Sequence, residues 1–182
     1  MTRSVDLPPP IKVELLSHDP RWAEQATAEG QLFASIVGSS SIAVHHIGST
    51  AIPTIHAKPV LDLMPVVRDL AELDGRRGEI EAHGYEWWGE LGLPGRRHCT
   101  KSDPATGRRL VQLHCYRERS PEVERHLAFR DYLRSHPQIA AAYDREKARC
   151  RDLHTEDSHA YSDCKDAWIK TVEAQALAWR RS

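Results

Sequence analysis

The run Val60-Leu61-Asp62-Leu63-Met64-Pro65-Val66-Val67 restricts what this chain can fold into more than any other segment. It is apolar at nearly every position, not at alternate ones. Both of its faces must therefore be covered, as in an interior strand with a layer on either side. Asp62 is the one charge inside it. An unpaired carboxylate at such a place is costly, so it needs a cation, a metal or hydrogen-bond donors, whether in a structural ion pair or in a site. Pro65 has no N–H for a ladder, which points to a bulge or a strand end.

The flanking segments supply the layers. Residues 1–10 end in Pro8-Pro9-Pro10, an extended lead, and Ile11 to Leu16 reads as a short edge strand. Asp19 and Pro20 suit a helix start, and Trp22, Ala26, Phe33 and Val37 recur at helical spacing up to Gly38. Ser41 to Ile47 reads as a strand broken by Gly48-Ser49-Thr50. Asp69 to Ala82 reads as a helix and Tyr85 to Trp88 as a strand. Arg96–Lys101 and Arg109–Tyr116 flank a turn-rich link and read as a hairpin. From Ser120 the chain is helical, broken at Ser135-His136-Pro137, with a second helix to about Leu153 and a third from Asp157 to Trp179. The expected class is α/β (α+β): one domain over 1–182, a mixed sheet flanked by helices, with a helical region over 120–180.

Charge and cysteine usage narrow the function. The formal net charge is -1, which argues against a basic nucleic-acid binder. No apolar run approaches the ~20 residues of a membrane helix, and Met1-Thr2-Arg3-Ser4 opens no signal region. A cytoplasmic protein with reduced thiols is expected. Cys99, Cys115, Cys150 and Cys164 show no C-x-x-C spacing, so neither a disulfide framework nor a structural zinc is expected.

Several residues stand out against their surroundings. Gly48-Ser49-Thr50 ends a strand in a turn that can present N–H groups and hydroxyls to an anion; as a tripeptide it is also an ordinary turn. In an even-sum register the hairpin puts Arg96, His98, Gln112 and His114 on one face and Cys99, Val111, Leu113 and Cys115 on the other. The first face is either a solvated exterior or part of a site. Lys147 follows Tyr143 by four residues and Lys165 follows Tyr161 by four, each beside an apolar helical stripe, and Arg130 sits among Val123, Leu127 and Leu133. Such cations either snorkel to solvent or meet an anion.

Taken together, these segments resemble the GrpB family, a bacterial branch of the nucleotidyltransferase-fold superfamily. The matching stretches are His46-Ile47-Gly48-Ser49-Thr50-Ala51-Ile52-Pro53, Ala57-Lys58-Pro59-Val60-Leu61-Asp62-Leu63 and Gly84-Tyr85. They continue with His114, Phe129-Arg130-Asp131-Tyr132-Leu133-Arg134, Tyr143, Lys147, Tyr161 and Lys165. The resemblance implies a nucleotidyltransferase-like sheet binding a nucleotide or other phosphate-bearing small molecule. It implies Asp62, His114 and Lys58 as the chemical centre, with Ser49 and Thr50 on phosphate. His46, Gly48, Arg130, Asp131, Tyr143, Lys147, Tyr161 and Lys165 would complete the ligand site, and the polar face of the hairpin adds Arg96 and His98 to the candidates. In the superfamily a second acid follows the first by two residues and the pair binds magnesium with a nucleotide triphosphate. Met64 stands at that second position here, and Gln112 to His114 offer no third carboxylate. The resemblance thus leaves two readings: a nucleotidyl-type transferase or ligase with Asp62 on Mg²⁺, or a non-catalytic ligand-binding or folding-assistance module. The family's domain also occurs behind dephospho-CoA kinases, where it is thought to assist folding. Gly48-Ser49-Thr50, Asp62, His114, Arg130, Lys147 and Lys165 are expected to line one cavity, net positive and suited to an anion.

Overall fold

The computed structural model describes residues 7–182, so most of the extended lead lies outside the described residues. The helix α1 (Arg21–Val37) starts where the Asp19 carboxylate accepts from the Arg21 N–H, and it stops at Gly38, whose φ of 69° suits a residue without a Cβ. The segment before it forms no strand: Leu16 makes a single bridge to Ala57. Its backbone is instead taken up elsewhere, with Val13 N–H donating to Thr155 carbonyl.

Five strands form one mixed sheet. They are β1 (Ser41–Ile47), β2 (Leu61–Val67), β3 (Tyr85–Gly89), β4 (Arg96–Ser102) and β5 (Arg109–Arg117), in the order β1-β2-β5-β4-β3. β2 and β5 run parallel, and the other neighbours are antiparallel. β2 is thus interior, as its apolar run requires. Pro65 neither ends it nor bulges it. The strand continues to Val67 in constant register with β5, and the pairings simply skip Met64 and Pro65. The irregularity lies on β1, between Ser41 and Ala43. The helix expected over Asp69 to Ala82 is two short ones, α2 (Leu70–Gly75) and α3 (Arg77–Ala82), separated at Arg76. Asp69 caps the first through the Ala71 N–H.

One face of the sheet packs on α1, α2 and α3 through Phe33, Leu63, Leu73, Ile80, Cys99 and Leu113. The other face carries α4 (Pro121–Ser135), α5 (Pro137–Leu153) and α6 (Ser158–Arg181). Alternation along β2 sends Leu61, Leu63 and Val67 to the first face, and Asp62 and Met64 to the second. Met64 is fully buried there with Ile47 and Tyr116, under Val123 and Leu127 of α4. The hairpin register matches the even-sum expectation, with His98 opposite His114 and Cys99 opposite Leu113. α4, α5 and α6 share a second core of Leu133, Ala140, Tyr143 and Val172 with Ile52 and Ile55 from the connection after β1. The Tyr143 and Trp168 rings stack there at 4.9 Å.

Two cysteines correct the expectation of reduced thiols. Cys150 on α5 and Cys164 on α6 form a disulfide, with Cα atoms 5.8 Å apart. No local spacing pattern announces this pair, because the packing of two helices brings it together. Cys99 and Cys115 are free and buried.

Candidate functional site

The site lies on the second face, where β1, β2 and β5 meet α4 and α6. Gly48 turns the chain sharply out of β1 with φ 69° and ψ -171°, and Ser49–Ala51 follow as a single 3-10 turn. The turn presses on β2: a Cβ on Gly48 would sit 2.6 Å from Asp62 Oδ2. Only glycine allows this approach. Thr50 is buried and its hydroxyl meets His46 Nε2 at 2.8 Å. Burial holds His46 down at about 4, so it braces the turn as a neutral ring.

Asp62 is not sealed in the core. Its side chain keeps 31% exposure, toward a cavity, and its nearest partner is His114 Nε2 at 3.2 Å. The pairing follows from the parallel register, which sets Asp62 beside Gln112, two residues from His114. Burial pushes the carboxyl up, but the His114 hydrogen bond and the charges of His114, Lys58 and Lys165 outweigh it and hold Asp62 below its usual value. The partner at hydrogen-bonding range is therefore a histidine, with the lysines acting from farther off.

The cavity measures about 430 Å³. Gly48, Ser49, Thr50, Lys58, Asp62, His114, Tyr143, Tyr161 and Lys165 all line it. Lys58 and Lys165 stand over the Tyr161 ring, 5.4 and 4.7 Å from its centroid. Neither ammonium has a carboxylate within 4.0 Å among the described residues. Burial lowers both, Lys165 to about 8, and the charge of Lys58 lowers Lys165 further. Burial also raises the Tyr143 phenol, which lies beside Ser49.

Other expected members are elsewhere. Lys147 is fully buried but is not part of the cavity lining, donating to the His56 carbonyl and lying 3.3 Å from Asp144. Asp144 also holds His56, at 2.8 Å. Lys147 thus fastens the connection after β1 onto α5. Arg130 donates to the His46 carbonyl at 3.1 Å and pairs with Asp131, which Arg180 also contacts at 3.1 Å. It supports β1 from behind. Arg96 and His98 line a neighbouring cavity.

The site also holds groups that the sequence did not single out: Arg125 and His126 of α4, and Ser162, Asp166 and Glu173 of α6. Their signal was faint, because each lies at an ordinary polar position of an amphipathic helix. They change the charge balance. Lys58, Arg125 and Lys165 face Asp62, Asp166 and Glu173, three against three, so the cavity is not net positive with its histidines neutral. It is divided instead. Lys58 and Lys165 have no ion-pair partner among the described residues and lie at one end, while Arg125 is paired with Glu122 and Glu173, and Asp166 with Lys170.

Residues 12–175 match the GrpB protein family profile. The chain belongs to the GrpB family. The crystal structure of the conserved protein GrpB from Enterococcus faecalis superimposes with a TM-score of 0.86 at 36% identity, covering 93% of this chain and all of that one. The UPF0157 protein YqkA of Bacillus subtilis is 38% identical over 173 residues, 95% of this chain but only 50% of its own length. A dephospho-CoA kinase of Mycobacterium leprae is 25% identical over 196 residues, 92% of this chain and 47% of its own. The chain thus spans about half the length of these two relatives. No helix among the described residues is long and apolar enough to cross a membrane.

Proposed function

We propose that this GrpB chain is a nucleotidyltransferase-like module whose cavity binds a phosphate-bearing small molecule at its Lys58–Lys165 end. The observation that carries this reading is the pair of ammonium groups over Tyr161, both without a close carboxylate among the described residues, beside the Gly48-Ser49-Thr50 turn. Two partly buried cations repel each other, and an anion between them removes the repulsion. Ser49 supplies a hydroxyl to its oxygens. The Asp62–His114 pair can hold a proton at His114 Nε2, facing the same space.

The donor set does not fit the magnesium pair of the superfamily. Asp62 is the one carboxylate on β2, and His114 already engages one of its oxygens. Met64 is turned into an apolar cluster, and Gln112 stands opposite Asp62 on β5. A hard cation seeks several oxygens, and a thioether is a poor substitute. The ligand-binding reading is therefore favoured over metal-dependent transfer. The similarity to dephospho-CoA kinases makes CoA esters and nucleotides the first compounds to try.

The test is a thermal-shift screen of nucleotides, CoA esters and simple phosphates, with and without Mg²⁺. Ligand at a hundred times its Kd stabilises by ~2.7 kcal/mol, a Tm rise of roughly 5–11 °C for a chain of this size. The expected hits carry phosphate and do not need Mg²⁺. A screen in which no phosphate compound shifts the transition, or in which Lys165→Met leaves every shift intact, overturns the proposal.

A further inference from the structure

Beyond His114 the polar face of the hairpin continues into a second cavity of about 230 Å³. It adjoins the first, since Lys58, Gln112, His114 and Ser162 line both. Among the described residues its charged lining consists of Lys58, Arg96 and Arg109, with no acidic side chain. Arg96 and Arg109 are 8% and 7% exposed. Buried guanidinium groups normally meet carboxylates, because an uncompensated charge is expensive to bury. Among the described residues neither has a carboxylate within 4.0 Å. Arg96 donates to the carbonyls of Glu90 and Leu91, with the Tyr116 hydroxyl beside it and Glu122 acting from beyond ion-pairing range, and Arg109 donates to the Ser102 hydroxyl at 3.4 Å. Glu86 acts on Arg109 from beyond ion-pairing range. On β4, opposite His114, His98 is 4% exposed, and its Nδ1 is buried with no hydrogen-bond partner among the described residues.

These groups share one deficit. Two guanidinium groups and a histidine line a space in which the described residues place no carboxylate. The space is several times the ~30 Å³ of a water molecule, large enough for a phosphate or a carboxylate. Arginine's planar fork suits either group. We propose that Arg96, Arg109 and His98 form a second anion subsite, continuous with the first through Lys58 and His114, so that the ligand is a small molecule with two separated anionic groups. This rests on the phosphate-binding reading of the first cavity and adds to it: a monoanion fills half of the site.

The probes are an alkyl monophosphate series and the matching α,ω-alkanediol bisphosphates, from short to long, titrated calorimetrically. Charge-assisted hydrogen bonds are worth about 1.5–3 kcal/mol, so the best-fitting bisphosphate should bind at least ~10-fold more tightly than its monophosphate. Arg109→Gln should abolish that advantage and leave monophosphate affinity unchanged, and Arg109→Lys should restore part of it. Circular dichroism confirms that these variants fold. If the Gln variant does not fold, Arg109→Lys alone must still narrow the advantage. Equal affinity of both series at every length, with monophosphate binding intact, overturns the second subsite and spares the first. Failure of both series to bind overturns the first reading and this one with it.

Discussion

Replacing Gly48 with alanine should damage this protein twice over, and the two effects can be separated. The backbone at Gly48, φ 69° and ψ -171°, lies in a region that side chains rarely enter, and forcing a Cβ there costs about 1–3 kcal/mol. The new Cβ would also meet Asp62 Oδ2 at 2.6 Å and Asp62 Cβ at 2.9 Å. Asp62 cannot yield freely, because it belongs to an interior strand and is held by His114, so repacking adds about 1 kcal/mol. The sum is ~2–4 kcal/mol, a Tm loss of roughly 4–16 °C at this length. Denaturant unfolding of Gly48→Ala, Asp62→Gly and the double variant measures both parts. Asp62→Gly removes every atom that the new Cβ would strike, so the coupling in the cycle should be about 1 kcal/mol and should relieve the double variant. The backbone cost should persist in it. A single variant within ~0.5 kcal/mol of wild type would refute the argument, and an additive cycle would refute the contact part of it.

Lys147 and Lys165 should respond in opposite ways to replacement by Met. Lys165→Met should weaken phosphate binding by at least ~10-fold with little loss of stability. Lys147→Met should leave affinity within ~2-fold and cost ~1–3 kcal/mol in unfolding, because it unfastens His56 and Asp144. The reverse pattern would show that the cavity has been misassigned. Burial puts both lysines at about 8 in the folded chain, against 10.5 for an ordinary lysine. Between those values the unfolded state binds more protons, so stability should rise with pH from about 8 toward 10. Above 10 the raised phenols of Tyr85, Tyr143 and Tyr161 should reverse the trend. Phosphate affinity should fall over the window in which stability rises, as Lys165 loses its charge; unfolding and calorimetry at stepped pH would expose parallel trends as a refutation. Finally, thiol titration of unfolded, unreduced protein should find two free cysteines, Cys99 and Cys115. Reduction of Cys150–Cys164 should cost ~2–4 kcal/mol, and a count of four thiols would refute the pairing.

What could be read in the sequence was local periodicity. An apolar run with one acid marks β2, and parity alone sorts His98 and His114 from Cys99 and Leu113. The turn at Gly48 announces itself because strand periodicity stops there. Helix rotation was harder to read. Lys147 and Lys165 have the same tyrosine four residues earlier, yet one faces Asp144 and the other the cavity. The difference is set by how α5 and α6 cross, which depends on contacts distant in the chain. Asp166, Glu173 and Arg125 were invisible for the same reason, and the disulfide follows from that same crossing. The Asp62–His114 pair needs the parallel registration of two strands far apart in sequence, and no window shorter than that separation contains it.

That parallel pairing has a kinetic side. Parallel neighbours need a long crossover, and here everything from Arg68 to Arg108, including β3 and β4, lies between β2 and β5. The β4–β5 hairpin closes over a short link, whereas setting it beside β2 must overcome the entropy of a much longer loop. No early, local folding event can create the space between Asp62 and His114, and α6 must still arrive from the far end of the chain to enclose it. A bound ligand therefore grips elements joined last. It should slow amide exchange across the whole sheet and along α6 together, not in a patch around itself, and each binding event becomes a report that the entire chain has reached its native arrangement.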